Sequence, residues 1–276
     1  MIHGARSGGD MTQHLPDEVK ASPSGMYDYL LGGAANTPAD RRSVDTLLGS
    51  LPEIRDGAEA NRGFLRRAVH HLAENGIDQF VDLGSGLPTQ HNTDEVAHRV
   101  NPNARVVFVD LDPLVREHVN RLEEGTVRAV CADIREPDEV LGDPAMELID
   151  FTRPVGLLLV AVLHFVTDEY DPFAIVRSYM DALPSGSYLA LSHLNGEGRP
   201  ETSVRKLKEA WADTPTGIHF RTRTVVEGFY DGLEILPPYA GAAPGIVNVG
   251  AWGAEDPALE DGEGSRWAVC AVARKP

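Results

Sequence analysis

The run Val81-Asp82-Leu83-Gly84-Ser85-Gly86-Leu87-Pro88-Thr89 reads as a strand that ends in a glycine turn and opens a helix. Glycine lacks a Cβ and tolerates positive φ, so such a turn brings backbone N–H groups close to a ligand. Gly84 and Gly86 fit the first two positions of the dinucleotide fingerprint G-x-G-x-x-G, but Thr89 stands at the third. Asp82, two residues ahead of Gly84, favours a ligand carrying positive charge over one carrying a pyrophosphate.

Strands and helices alternate around this turn. Strands are predicted over residues 77–83, 105–110, 126–131, 155–163 and 186–191, and helices over 59–74, 92–100, 113–124 and 171–183. Phe64, Leu65, Ala68, Val69 and Leu72 recur at helical spacing, and Asn75-Gly76 stops that helix. The run 155–163 is apolar throughout, as suits a central parallel strand buried on both faces. The alternation argues an α/β, Rossmann-like sheet with helices on both faces. Past residue 191 the rhythm changes. Helices over 202–211 and 224–229 precede strands at 233–236, 246–249 and 267–272. Only the acidic linker 250–265, read as a solvated loop, joins the last two strands, so they pair antiparallel. About seven strands are expected, the last of them antiparallel.

Three segments divide the chain. Residues 1–24, rich in Gly, Ser, His and charge, read as a flexible arm. Residues 25–58 read as an N-terminal helical cap or lid, with Gly32-Gly33 as a hinge and a short helix over 38–48. Residues 59–276 form the main domain, long enough to bury a proper core.

The formal net charge of −17 repels phosphate backbones and anionic lipid, which argues against nucleic acid or a membrane as partner. No apolar run reaches the roughly 18 residues of a membrane-spanning helix, and residues 1–23 lack the apolar core of a signal peptide. Cys131 and Cys270, both in apolar runs, read as buried free thiols in a reducing compartment. A cytoplasmic protein is expected. His70-His71 and His193 lack metal-ligand spacing, so no metal is expected. Ser85 lies outside any G-x-S-x-G, which leaves a hydrolase elbow unsupported.

In an open α/β sheet the ligand sits beyond the carboxyl ends of the strands. Asp110 ends the second predicted strand, where an acid accepts from both hydroxyls of a ribose, and Asp133 follows the third. Asp82, Asp110 and Asp133 around one G-x-G turn together point to a nucleoside ligand.

These residues carry a resemblance. Val81 to Thr89, Phe108 to Pro113 and Ala132-Asp133-Ile134 resemble the first three motifs of class I S-adenosylmethionine-dependent methyltransferases. More narrowly, the glycine run and the stretch from Ser22 to Gly33 resemble a family of methyltransferases whose acceptors are not established. The resemblance implies S-adenosyl-L-methionine as cofactor. Asp82 and the backbone of Gly84, Ser85 and Gly86, with Thr89 closing the turn, would hold its methionine end. Asp110 would bind the ribose with Leu111 against the adenine, and Asp133 would accept from the adenine amino group with Ile134 packed nearby. Where some methyltransferases of nucleic acid or protein nitrogen carry an Asn/Asp-Pro-Pro-Tyr motif, this chain has Ala161-Val162-Leu163-His164-Phe165, which favours a small-molecule acceptor.

Beyond the cofactor, the residues leave alternatives. His164 is either the general base for the acceptor or a histidine that only hydrogen-bonds at a strand end. Asn61 and Arg62 lie just ahead of the first strand; Arg62 is either a clamp for the cofactor carboxylate or part of a solvated helix face. Tyr27 and Tyr29 belong either to a lid over the site or to a segment packed for stability. Two other functions use the same sheet: a non-catalytic S-adenosylmethionine-binding module, and a nicotinamide-dependent oxidoreductase, which Asp82 and Thr89 disfavour.

Overall fold

Apolar runs that end on an acid or a glycine build the centre of the molecule. The structure, a computed structural model, describes residues 20–87, 92–120, 125–212 and 214–276. Three helices come first: α1 (Pro23–Leu30), α2 (Pro38–Leu48) and α3 (Glu53–Glu74). The alternating part holds β1 (Gln79–Leu83), α4 (Thr93–Val100), β2 (Arg105–Asp110), α5 (Pro113–Val119), β3 (Val127–Cys131), α6 (Pro137–Leu141), β4 (Gly156–Val160), α7 (Pro172–Asp181) and β5 (Tyr188–Leu194). The last part holds α8 (Glu201–Ala210), α9 (Arg223–Glu227), β6 (Glu234–Ile235), β7 (Val247–Asn248), α10 (Pro257–Glu260) and β8 (Ala268–Arg274).

The sheet has eight strands in the order β3-β2-β1-β4-β5-β8-β6, with β7 also paired to β8. β1 to β5 run parallel, while β8 is antiparallel to β5 from Tyr188↔Arg274 to Leu194↔Ala268. The expected antiparallel pairing of the last two strands appears as Val247↔Cys270. The count is eight because β6 and β7, two residues each, share the outer edge of β8. β1 thus sits between β2 and β4, and its glycine turn lies at the centre of the carboxyl edge.

Helices cover both faces. Phe64, Ala68, Val69 and Leu72 of α3, with Val96 of α4 and Val115 of α5, pack on one face against Phe80 and Val106. Ile175, Val176 and Tyr179 of α7, with Val140 of α6, pack on the other against Val81 and Leu157. A third cluster lies off the sheet. It joins Met26, Leu30 and Val44 of the first two helices to Leu207 of α8 and to Trp211 and Trp267. The N-terminal cap is therefore completed by residues from the far end of the chain.

Several expectations are corrected. Residues 20–24 are not an arm: Pro23 starts α1, with Ser22 accepting from the Gly25 N–H as its cap. Residues 1–19 lie outside the described residues. α3 begins at Glu53 and runs unbroken through residues 58 and 59. The strand predicted to reach Leu163 stops at Val160, because Ala161 turns the backbone to φ +58° and a 3-10 turn follows over Leu163–Phe165. The acidic linker holds the one-turn helix α10. Cys270 is buried as expected, but Cys131 is exposed, since β3 is an edge strand. Among the described residues, no helix is long and apolar enough to cross a membrane.

Candidate active site

A cavity of about 520 Å³ opens at the carboxyl edge of the sheet, within the size range of small-molecule sites. Asp82, Gly84, Ser85, Gly86, Asp110 and Leu111 line one end, and Asp133 and Ile134 join them. Of the residues implicated from sequence, Asn61, Arg62, His164 and Tyr27 also line it. Thr89 lies outside the described residues. Tyr29 is not part of the lining: its hydroxyl donates to Asp45 Oδ1 at 3.0 Å. On one helix, Tyr27 and Leu30 share a face and Tyr29 points elsewhere.

The glycine turn is built on positive φ, +71° at Gly84 and +69° at Gly86. A Cβ at Gly84 would meet Val162 Cγ2 at 2.2 Å, so both backbone and space require glycine there. The N–H groups of Gly84, Ser85 and Gly86 are engaged within the protein. Gly84 and Ser85 donate to Val109 O (2.7 and 3.2 Å), and Gly86 donates to Asp110 Oδ2 (2.8 Å). Among Gly84, Ser85 and Gly86, no N–H is left without an acceptor for a phosphate to take. The turn's buried neighbours suit a cation: Asp82 is 3% exposed and accepts from Thr93 Oγ1 at 2.6 Å. Burial pushes its carboxyl up to about 6, against the Thr93 hydrogen bond and the nearby Arg62.

Asp110 holds the next turn as well. Its Oδ1 accepts from the Asp112 N–H at 2.9 Å, and Asp112 Oδ2 accepts from Ser24 Oγ at 2.8 Å, which ties the base of α1 to this edge. Burial raises the Asp110 carboxyl despite these donors. Leu111, at 60% exposure, presents an apolar side chain where a base would stack. Asp133 is more encumbered than the resemblance implies. Arg135 grips it through Nε at 3.0 and 2.9 Å and through its own N–H at 2.9 Å, and lies 4.3 Å over the Tyr170 ring. Burial raises the Asp133 carboxyl, but this fork outweighs it and holds the group below the usual carboxylate range.

Among the described residues, the buried Ser85 Oγ and Arg62 Nε have no partner. The Arg62 guanidinium lies 5.7 Å from the Tyr27 ring centroid. A nucleoside with an amino-acid tail would supply partners for both, so the residues present fit S-adenosylmethionine. Asn61, which also lines the cavity, is part of a relay through the scaffold. Ala161 N–H donates to Ser192 Oγ (2.9 Å), Ser192 Oγ to Asn61 Oδ1 (2.6 Å), Asn61 Nδ2 to Tyr27 Oη (2.8 Å), and Tyr27 Oη to Ala58 O (3.2 Å). That relay fixes the strained Ala161 turn that leads to His164.

His164 is 5% exposed, and its Nδ1 has no partner. Burial first, then His193, Arg221 and His219, push its pKa well below the ordinary 6.5. His193, whose sequence context raises only a metal-ligand reading, and Arg221, which lies in none of the sequence motifs, organise this corner. Arg221 uses all five N–H groups. Nε and Nη2 reach Asp168 Oδ1, Nη2 reaches Val166 O, and Nη1 reaches Leu163 O and His193 Nε2 (2.7 Å). A guanidinium only donates, so His193 Nε2 accepts and its proton sits on Nδ1, donated to Leu194 O at 2.8 Å. Burial pushes His193 down to about 4. No sequence signal sets Arg221 apart, since His219 and Arg223 flank it at the same spacing of two.

A family model described as S-adenosyl methyltransferase matches residues 10–276. A proposed methyltransferase from Thermobifida fusca YX is 36% identical over 93% of this chain and 95% of its own, with a TM-score of 0.84. A duf574 family protein from Streptomyces avermitilis MA-4680 is 38% identical over 93% of this chain and 98% of its own, also at 0.84. No curated protein matches. A model that matches nearly the whole length agrees with the cation-suited turn and the strand-end acids, and this chain belongs to the S-adenosyl methyltransferase family.

Proposed function

We propose that this enzyme methylates a small-molecule acceptor, with His164 as the group that receives the acceptor's proton. S-adenosylmethionine, the cofactor of the family, supplies a methyl group on a sulfonium. Asp82, Ser85 and Arg62 would hold its methionine end, Asp110 its ribose, and Leu111, Asp133 and Ile134 its adenine. Positioning supplies most of the rate effect, because a thioether leaves without protonation. α1 and the start of α3, with residues from α8 onward, would cover the acceptor and exclude water. The observation that carries this reading is one continuous cavity, running from the glycine turn past His164 to Trp211 and Trp267. The net charge of −17 speaks against a nucleic-acid acceptor.

His164→Gln tests the role of the imidazole. Calorimetry should show unchanged affinity for S-adenosylhomocysteine, while methyl release from labelled S-adenosylmethionine in cell extract falls roughly 100-fold, the lower range for general base catalysis. Full turnover in the variant refutes the base. Arg62→Ala tests the clamp. Removing a charge-assisted hydrogen bond of about 1.5–3 kcal/mol should weaken S-adenosylhomocysteine binding at least tenfold. An unchanged dissociation constant would assign Arg62 to its stack on Tyr27 alone.

A further inference from the structure

We propose that the methyl acceptor is an uncharged molecule with an apolar body, presenting one protic group to His164. The inference rests on the methyltransferase reading and names the substrate class of that site.

The two ends of the cavity differ in charge. The charged side chains among its described lining are Arg62, Asp82, Asp110, Asp112, Asp133 and Arg135. All lie on α3 or just at the ends of β1, β2 and β3, where the cofactor would sit. From Val160 onward the described lining contains no Asp, Glu, Lys or Arg. This is a sharp segregation in a chain of which 24% is charged. The far end is walled by Leu30, Ile54, Leu207, Trp211, Ile218 and Trp267. All six are buried and belong to the cluster that lies off the sheet.

The described polar groups at that end carry no charge either. Arg221 donates to His193 Nε2 and Leu194 O accepts from Nδ1, so both ring nitrogens are engaged and the ring is neutral. Ser192 is committed to Asn61. His164 is kept neutral by burial and by its cationic neighbour Arg221. An acceptor with a carboxylate, phosphate or ammonium would shed its hydration against this wall with no counter-ion among the described lining residues, a cost of several kcal/mol per ion. An apolar body instead gains from the transfer. One hydroxyl or amine N–H is matched by the one imidazole that remains free to accept.

Three probes of equal ring size and different charge test this: naphthol, naphthoate and naphthylmethylammonium, each titrated calorimetrically at neutral pH into protein saturated with S-adenosylhomocysteine. Naphthol should bind at least tenfold tighter than either ion. Thr216→Arg, at a half-buried position on the same wall, should raise naphthoate affinity at least tenfold without changing that for S-adenosylhomocysteine. Ions that bind within threefold of naphthol, no binding by naphthol, or unchanged naphthoate affinity in the variant overturns the inference. The first titration separates the two readings. If S-adenosylhomocysteine itself does not bind, the cofactor reading fails; if it binds and the charge preference is missing, only the acceptor class fails.

Discussion

Arg221→Met is expected to cost about 3–5 kcal/mol of stability, because the side chain closes its corner with five hydrogen bonds. Val166 O and His193 Nε2 each lose the donor that Arg221 provides (2.7 Å for both) and stay buried. An orphaned buried acceptor costs about 1–3 kcal/mol, and the methionine stem replaces most of the lost packing but none of the donors. Asp168, whose side chain is 85% exposed, returns to water at little cost. At about 2–4 °C per kcal/mol, the melting temperature should fall by roughly 10 °C. Arg221→Lys keeps the charge but offers three donors from one point where five are used, so it should recover no more than half.

A second measurement separates positioning from bulk stability. Arg221 is among the charges that lower both His193 and His164, after burial. Its removal should move the His193 imidazole up from about 4, read from ring proton shifts in an NMR titration of the folded variant. A variant that loses stability but leaves both histidines in place would limit Arg221 to a structural brace.

The cofactor end was legible in sequence because its signals are local. Asp82, Gly84 and Gly86 lie within five residues, and Asp110 and Asp133 each end an apolar run. Periodicity alone places such residues on one edge of a parallel sheet. The apolar end of the cavity was not legible, since its contacts join distant segments. Ser192 reaches Asn61 across 131 positions, and Arg221 reaches Leu163 across 58. Trp211 and Trp267 meet α1 only in the folded chain. The short strands β6 and β7 exist because β8 offers them an edge, and two residues carry no period of their own. The Asp133–Arg135 fork is local, yet nothing in its spacing says whether the arginine grips the acid or leaves it to a ligand.

Binding of S-adenosylhomocysteine should strengthen about tenfold per pH unit up to about pH 6 and then level off, with Asp82 as the cause. Burial pushes this carboxyl up to about 6, so below that pH it is largely protonated. A ligand ammonium favours the carboxylate, and binding in acid must expel the proton. Asp82→Asn should flatten the profile and weaken binding roughly 10- to 100-fold at neutral pH, the loss of one charged hydrogen bond. Stability of the free protein runs the other way. The folded carboxyl holds its proton more tightly than the unfolded one at 3.8, so stability falls as pH rises between the two, by up to about 3 kcal/mol. His193, lowered from 6.5 to about 4, gives the opposite slope over nearly the same window. Its neutral form stabilises above 6.5, and that contribution is lost as pH falls toward 4. In the wild type the two offset each other. In Asp82→Asn the histidine slopes lose that offset, so acid unfolding should steepen while binding loses its pH dependence. A general folding defect moves both readouts the same way. An affinity for S-adenosylhomocysteine that is constant in the wild type between about pH 5 and 7 would exclude Asp82 as the group that meets the ammonium.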